Sequence, residues 1–160
     1  MWYFCINHCL TLNLYIMKTK QVLFGTITGT VAMFMLGWVI YGIALSGYME
    51  ANSNAAVSRP PEQMSFPALI LSNLMWALLI SLIIDWTNTR SAGGGAKIGA
   101  ITGALAILGF DLTMYATTTL YSGGVTMLLV DTIGFAVMTC VTGAVAGWVM
   151  NKSAAAPATA

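Results

Sequence analysis

Three polar side chains lie where apolar surroundings do not ordinarily tolerate them. Asn73, Asp111 and Asp131 each fall inside a long run of apolar residues. A carboxyl in such a run can hold a proton, bind a cation or hydrogen-bond to another helix. No Lys, Arg or His lies within these runs to neutralise an ionised carboxylate. An unpaired one costs about 2.5–3.5 kcal/mol even on insertion scales. At least one of the two acids is therefore expected to be protonated or to hold a cation, and two close together would titrate as a pair. Tyr41 and Tyr115, one turn beyond Asp111, are the aromatic hydroxyls expected to reach the same layer.

The apolar runs follow from composition. The chain has 160 residues, 58% hydrophobic and 7% charged, with a mean hydropathy of +0.82. An ordinary soluble domain is roughly a quarter charged, so a soluble fold of this composition could not cover its own surface. Disordered chains are polar and charge-rich, which excludes that class too. A membrane-spanning helix needs about 20 mainly apolar residues to cross a hydrocarbon core of about 30 Å. Four stretches meet that requirement, at about 22–45, 66–84, 98–118 and 125–149. They carry Leu, Met, Ala and Gly freely, without the alternation of a barrel strand. The expected fold is all-α: an integral membrane four-helix bundle of two antiparallel hairpins, the last closed by the short connection Thr119 to Gly124.

This arrangement brings the polar groups level. Counted from the outer ends of their helices, Asn73 lies roughly 10 Å deep, Asp111 roughly 10–14 Å and Asp131 roughly 9 Å. Gly103, Ile107, Asp111, Met114 and Thr118 share one helical face, as do Asp131, Gly134, Met138 and Thr142. With both faces inward, the two carboxyls meet. The functional reading is a proton or cation site formed by Asp111, Asp131, Asn73, Tyr115 and Tyr41. The plainer reading is a set of hydrogen bonds between helices, worth about 0.6 kcal/mol each.

Lys and Arg set the orientation. Lys18, Lys20, Arg90, Lys97 and Lys152 fall on one side, and only Arg59 on the other. Trp86 and Trp148 mark the inner boundary; Tyr48, Phe66 and Tyr121 mark the outer one. Both termini are expected in the cytoplasm. Residues 1–16 read as an extension from an upstream start, with Met17 the alternative initiator, or as an interfacial segment. Residues 17–152 form the membrane domain, and 153–160 read as a disordered tail.

Glycines four apart recur at Gly25/Gly29, Gly99/Gly103 and Gly143/Gly147. Such strips let helix backbones approach closely, either between protomers of a homo-oligomer or within one bundle. The stretch Gly25-Thr26-Ile27-Thr28-Gly29 matches Gly99-Ala100-Ile101-Thr102-Gly103, a weak sign of a duplicated hairpin. Gly93-Gly94-Gly95-Ala96-Lys97 lacks the spacing of a phosphate loop and reads as a flexible link.

Other chemistries find little support. The net charge of +1 comes without a basic block, so nucleic acid is not an expected partner. Cys5, His8 and Cys9 lack the spacing of a zinc site or a haem attachment, and no metal or cofactor is expected. His8 is the only histidine, no nucleophile–base pair can be assembled, and Cys140 reads as a packing residue. The chain is thus not expected to be an enzyme. The expectation is a non-catalytic structural or accessory membrane protein. The alternative is an oligomeric proton- or cation-coupled transporter or channel using Asp111 and Asp131, since four helices alone barely enclose a pathway.

Gly37-Trp38-Val39-Ile40-Tyr41-Gly42, Gly109-Phe110-Asp111-Leu112, Val130-Asp131 and Gly143-Ala144-Val145-Ala146-Gly147-Trp148 resemble small, uncharacterised four-helix membrane proteins of bacteria, classed only as domains of unknown function. The resemblance covers about Met17 to Lys152. It implies a bacterial inner-membrane location, no established activity and no catalytic residues.

Overall fold

The computed structural model describes residues 2–57, 59 and 61–155, with side chains from Thr19 onward except those of residues 61 and 155. Five α-helices are present: α1 (Trp2–Gly37), α2 (Ser46–Asn52), α3 (Phe66–Trp86), α4 (Ala92–Thr117) and α5 (Gly124–Ala155). A π-helical segment, Trp38–Ala44, continues α1, and a 3-10 turn, Pro61–Gln63, precedes α3. Four helical stretches are long and apolar enough to cross a membrane: Thr19–Ala44, Phe66–Trp86, Ala92–Thr117 and Gly124–Ala154.

The distribution of side chains inverts that of a soluble protein. Leu23, Ile27, Val31 and Met35 form an exposed apolar row on α1, and Val125, Leu129, Ile133, Val137 and Val141 form another on α5. Polar side chains are turned inward, among them Gln21, Thr26, Asn73, Ser81, Asp111, Thr139 and Thr142. The buried hydroxyls of Thr139 and Thr142 donate to the carbonyls of Phe135 and Met138 on their own helix. Each is thereby satisfied without water.

Helix α5 is the hub, packing against α4, α1 and α3. Its contact with α4 is made backbone to backbone. Gly95 faces Gly143 and Gly147, Gly99 faces Thr139 and Gly143, and Gly103 faces Thr139. A Cβ on Gly99 would stand 2.0 Å from the Thr139 carbonyl oxygen, and one on Gly143 2.1 Å from that of Gly95. The matching strip on α1 also turns toward α5. Gly29 sits against Ala77, Thr142 and Ala146, and Gly25 against Met150 and Ser81. All three glycine pairs thus make their close contacts within one chain. Apolar packing fills the rest: Ile80, Ile84, Ala146 and Met150 near one end, and Met33, Phe135 and Met138 toward the other.

Two local features differ from the sequence expectations, the glycines before α4 and the end of α5. Gly93, Gly94 and Gly95 are not a flexible link but the first turn of α4, where the Ser91 side chain accepts the Gly94 amide at 2.9 Å. Gly95 is needed there because a side chain would strike α5. Residues 2–16 continue the helix of the first span, and α5 carries three residues of the expected tail, up to Ala155. Residues 156–160 and the side chains of Cys5, His8 and Cys9 lie outside the described residues.

Replacing Gly99 by Ala should destabilise the protein by about 1–3 kcal/mol, the usual penalty of overpacking. Ala at Gly109, where a Cβ meets nothing within 4 Å, should be neutral or slightly stabilising. Thermal unfolding in detergent checks both. A Gly99→Ala protein as stable as the parent would contradict the backbone contact.

Candidate functional site

Close approach of α4 and α5 brings Asp111 and Asp131 together. The two carboxyls lie near enough to act on each other's ionisation. Asp111 is fully buried, while Asp131 is half-buried and lines a cavity. The remaining partners are tyrosines. Tyr41 donates to Asp131 Oδ1 at 2.7 Å, and Tyr121 donates to Asp111 Oδ1 at 2.7 Å. Asp111 Oδ2 is buried with no hydrogen-bond partner among the described residues. Two ionised carboxylates facing each other offer only acceptors. A single proton held between them would supply a donor.

Local backbone irregularities place both tyrosines. In the π-helical segment the Leu45 amide reaches back to the Ile40 carbonyl at 2.7 Å, an i→i+5 bond. The widened turn carries Tyr41, which reaches α5 at Asp131. Tyr121 belongs to the loop after α4, which folds back over the end of its helix. That loop is tied to the other connection at the same end. Ser53 and Tyr121 form an isolated β-bridge. The Asn54 amide donates to the Leu120 carbonyl, and the Gly123 amide and Ser122 hydroxyl both donate to the Asn52 carbonyl. Gly123 leaves room for Asn52, whose Oδ1 would stand 2.4 Å from a Cβ there. Gly124, at φ +64°, then turns the chain into α5.

The cavity has a volume of about 600 Å³. Its walls come from α1, the π-helical segment, α3, α4 and α5, with Tyr41, Ser72, Asn73 and Asp131 as the polar side chains. Trp76 and Phe135 meet edge to face, with ring centroids 5.1 Å apart, on the inner wall. Trp38, Phe66 and Leu69 are exposed and frame an opening between the π-helical segment and the start of α3.

Of the residues expected at the site, Asp111, Asp131 and Tyr41 come together. Asn73 lines the same cavity, with its amide bonded to the Leu69 carbonyl at 3.0 Å. Tyr115 does not join them: it is 44% exposed, and Tyr121, expected only as a boundary residue, donates to Asp111 instead. The opposite end carries different chemistry. Asp85 pairs with Arg90 there, and the Lys152 ammonium lies 4.0 Å above the Trp148 ring. Among the described residues no three His, Cys, Asp or Glu side chains gather as a metal site requires. No family model, curated protein or solved structure matches the chain.

Burial pushes the Tyr121 phenol above its ordinary value, and the hydrogen bond to Asp111 adds to the shift. A raised folded value means that the phenol stabilises the fold fully below the unfolded tyrosine value of about 10. That contribution is lost as pH rises through the folded value. Tyrosinate absorbance should therefore show tyrosine ionising well above about pH 10, with one fewer such group in Tyr121→Phe. The same variant should lose about 0.5–1.5 kcal/mol of stability, the worth of one hydrogen bond, and Tyr115→Phe less. A larger loss in Tyr115→Phe would contradict the assignment.

Proposed function

We propose that the chain is a proton-coupled membrane carrier in which Asp111 and Asp131 share one exchangeable proton. The observation that carries this reading is the continuous series Tyr121, Asp111, Asp131, Tyr41, which joins the outer loops to the cavity. A proton reaching Tyr121 passes to Asp111, which solvent does not touch, and then to Asp131 on the cavity wall. The cavity gives one protomer the ligand volume that four bare helices were expected to lack.

The proposed orientation places the connections 46–65 and 118–123 outside and both termini in the cytoplasm of a bacterial cell. The basic residues support it: Arg90, Lys97 and Lys152 lie at the end opposite the acids, with Lys97 roughly 21 Å along α4 from Asp111. The assignment to a bacterial inner membrane rests on the sequence resemblance. Antiparallel packing of α4 and α5 fits the glycine contacts, whose partners on α5 fall in number as those on α4 rise. In intact cells a cysteine at Ser53 should react with an impermeant label and one at Ser91 should not; the reverse pattern would overturn the orientation.

A second reading, a non-catalytic structural or accessory protein, is favoured by the ties between the outer loops, which make the tyrosine–carboxyl bonds plain cross-links between helices. Proteoliposomes with an internal pH dye separate the two. The carrier reading expects a gradient-driven proton flux that falls to the level of empty liposomes in Asp111→Asn and in Asp131→Asn, with helix content and size unchanged. A parent protein no more permeable than empty liposomes, with both variants stable, returns the site to a structural role.

A further inference from the structure

We infer that the cavity binds an organic cation with apolar substituents, which enters between the π-helical segment and α3 and pairs with the Asp131 carboxylate while the shared proton stays on Asp111. The inference rests on the shared-proton reading and names its ligand class. A pair of carboxyls holding one proton retains one negative charge. The groups facing that charge are Tyr41 from the π-helical segment and Tyr121 from the outer loop, and neither is basic. From α3 the cavity receives Asn73, which carries no charge. The charge therefore has no counterion among the described residues, and Asp111 Oδ2 has no donor.

The walls supply the second half of the argument. Trp38, Trp76, Phe66 and Phe135 line the space beside Asp131. Aromatic faces attract cations, most strongly where water is excluded. A small hydrated ion would leave these apolar walls uncovered. A neutral lipid chain would cover them but leave the carboxylate unanswered. An apolar-substituted ammonium does both. The exposed rings of Trp38 and Phe66 at the opening give it a route from the bilayer.

The probe is benzyltributylammonium, a quaternary ion that carries no dissociable proton, with its uncharged carbon analogue as control. Binding to the purified full chain is read by quenching of tryptophan fluorescence, and protons by a pH dye in weak buffer. We expect saturable binding, with no proton released where the pair holds one proton and up to one released per chain where it holds two. The Kd should fall about tenfold per unit rise in pH where the pair holds both protons and one must leave, and level off where it holds one. Asp131→Asn should weaken binding at least about tenfold. Ser72→Trp, a change at an exposed position on the cavity wall, should block binding while leaving the acid titration of the ligand-free protein intact. Equal binding of the uncharged analogue, or undiminished binding by both variants, overturns the cation site while a titrating acid pair leaves the proton reading standing. If the ligand-free parent takes up no proton attributable to Asp111 and Asp131, the proton reading falls, and this inference with it.

Discussion

The distance between α4 and α5 governs the half of this protein that holds the two acids. At Gly95, Gly99 and Gly143 the two backbones stand so close that a methyl group at any of the three would overlap a carbonyl of the other helix. In a bilayer the helices gain nothing from leaving lipid for each other by hydrophobic burial, so such close van der Waals contact is a main source of association. The contact also fixes the register. Asp111 lies three turns beyond Gly99 along α4, and Asp131 about two turns before Thr139 on α5. Helices held at that separation and register cannot keep the two carboxyls apart.

Two acids in one apolar site would ordinarily be a defect. Here the surrounding groups turn them into a graded series. Tyr121 is half-exposed beside the paired loops, Asp111 is sealed, and Asp131 with Tyr41 opens on the cavity. Oδ1 of each acid accepts from a phenol, and Oδ2 of Asp111 has no partner among the described residues. The loop pairing around Ser53 and Tyr121 belongs to the same design, since it holds the phenol that caps the fully buried acid.

The membrane helices were legible because bilayer thickness imposes a length of apolar chain. The observed spans begin and end within a few residues of those expected, apart from the start of α4 and the end of α5. There, three successive glycines suggested a break, whereas tertiary contact with Gly143 and Gly147 makes Gly95 part of a helix. The meeting of Asp111 and Asp131 was legible from helical spacing and the shortness of the 119–124 connection. The choice of tyrosine was not. Helical periodicity favours Tyr115, one turn away, but the chain leaves the helix at Thr118 and returns Tyr121 to Asp111 from ten positions on. The π-helical segment has no periodic signal of its own, and without it the path from Tyr41 to Asp131 could not be drawn.

The central claim is that one proton resides between Asp111 and Asp131 at neutral pH. Infrared difference spectroscopy of the parent protein against Asp111→Asn and Asp131→Asn, across about pH 4–9, reads it directly, since this range brackets ordinary and strongly perturbed carboxyls. The account predicts one protonated carboxyl per chain at neutral pH, whose band disappears or shifts in both variants. Two carboxyls both ionised by about pH 5, as exposed aspartates are, would contradict it.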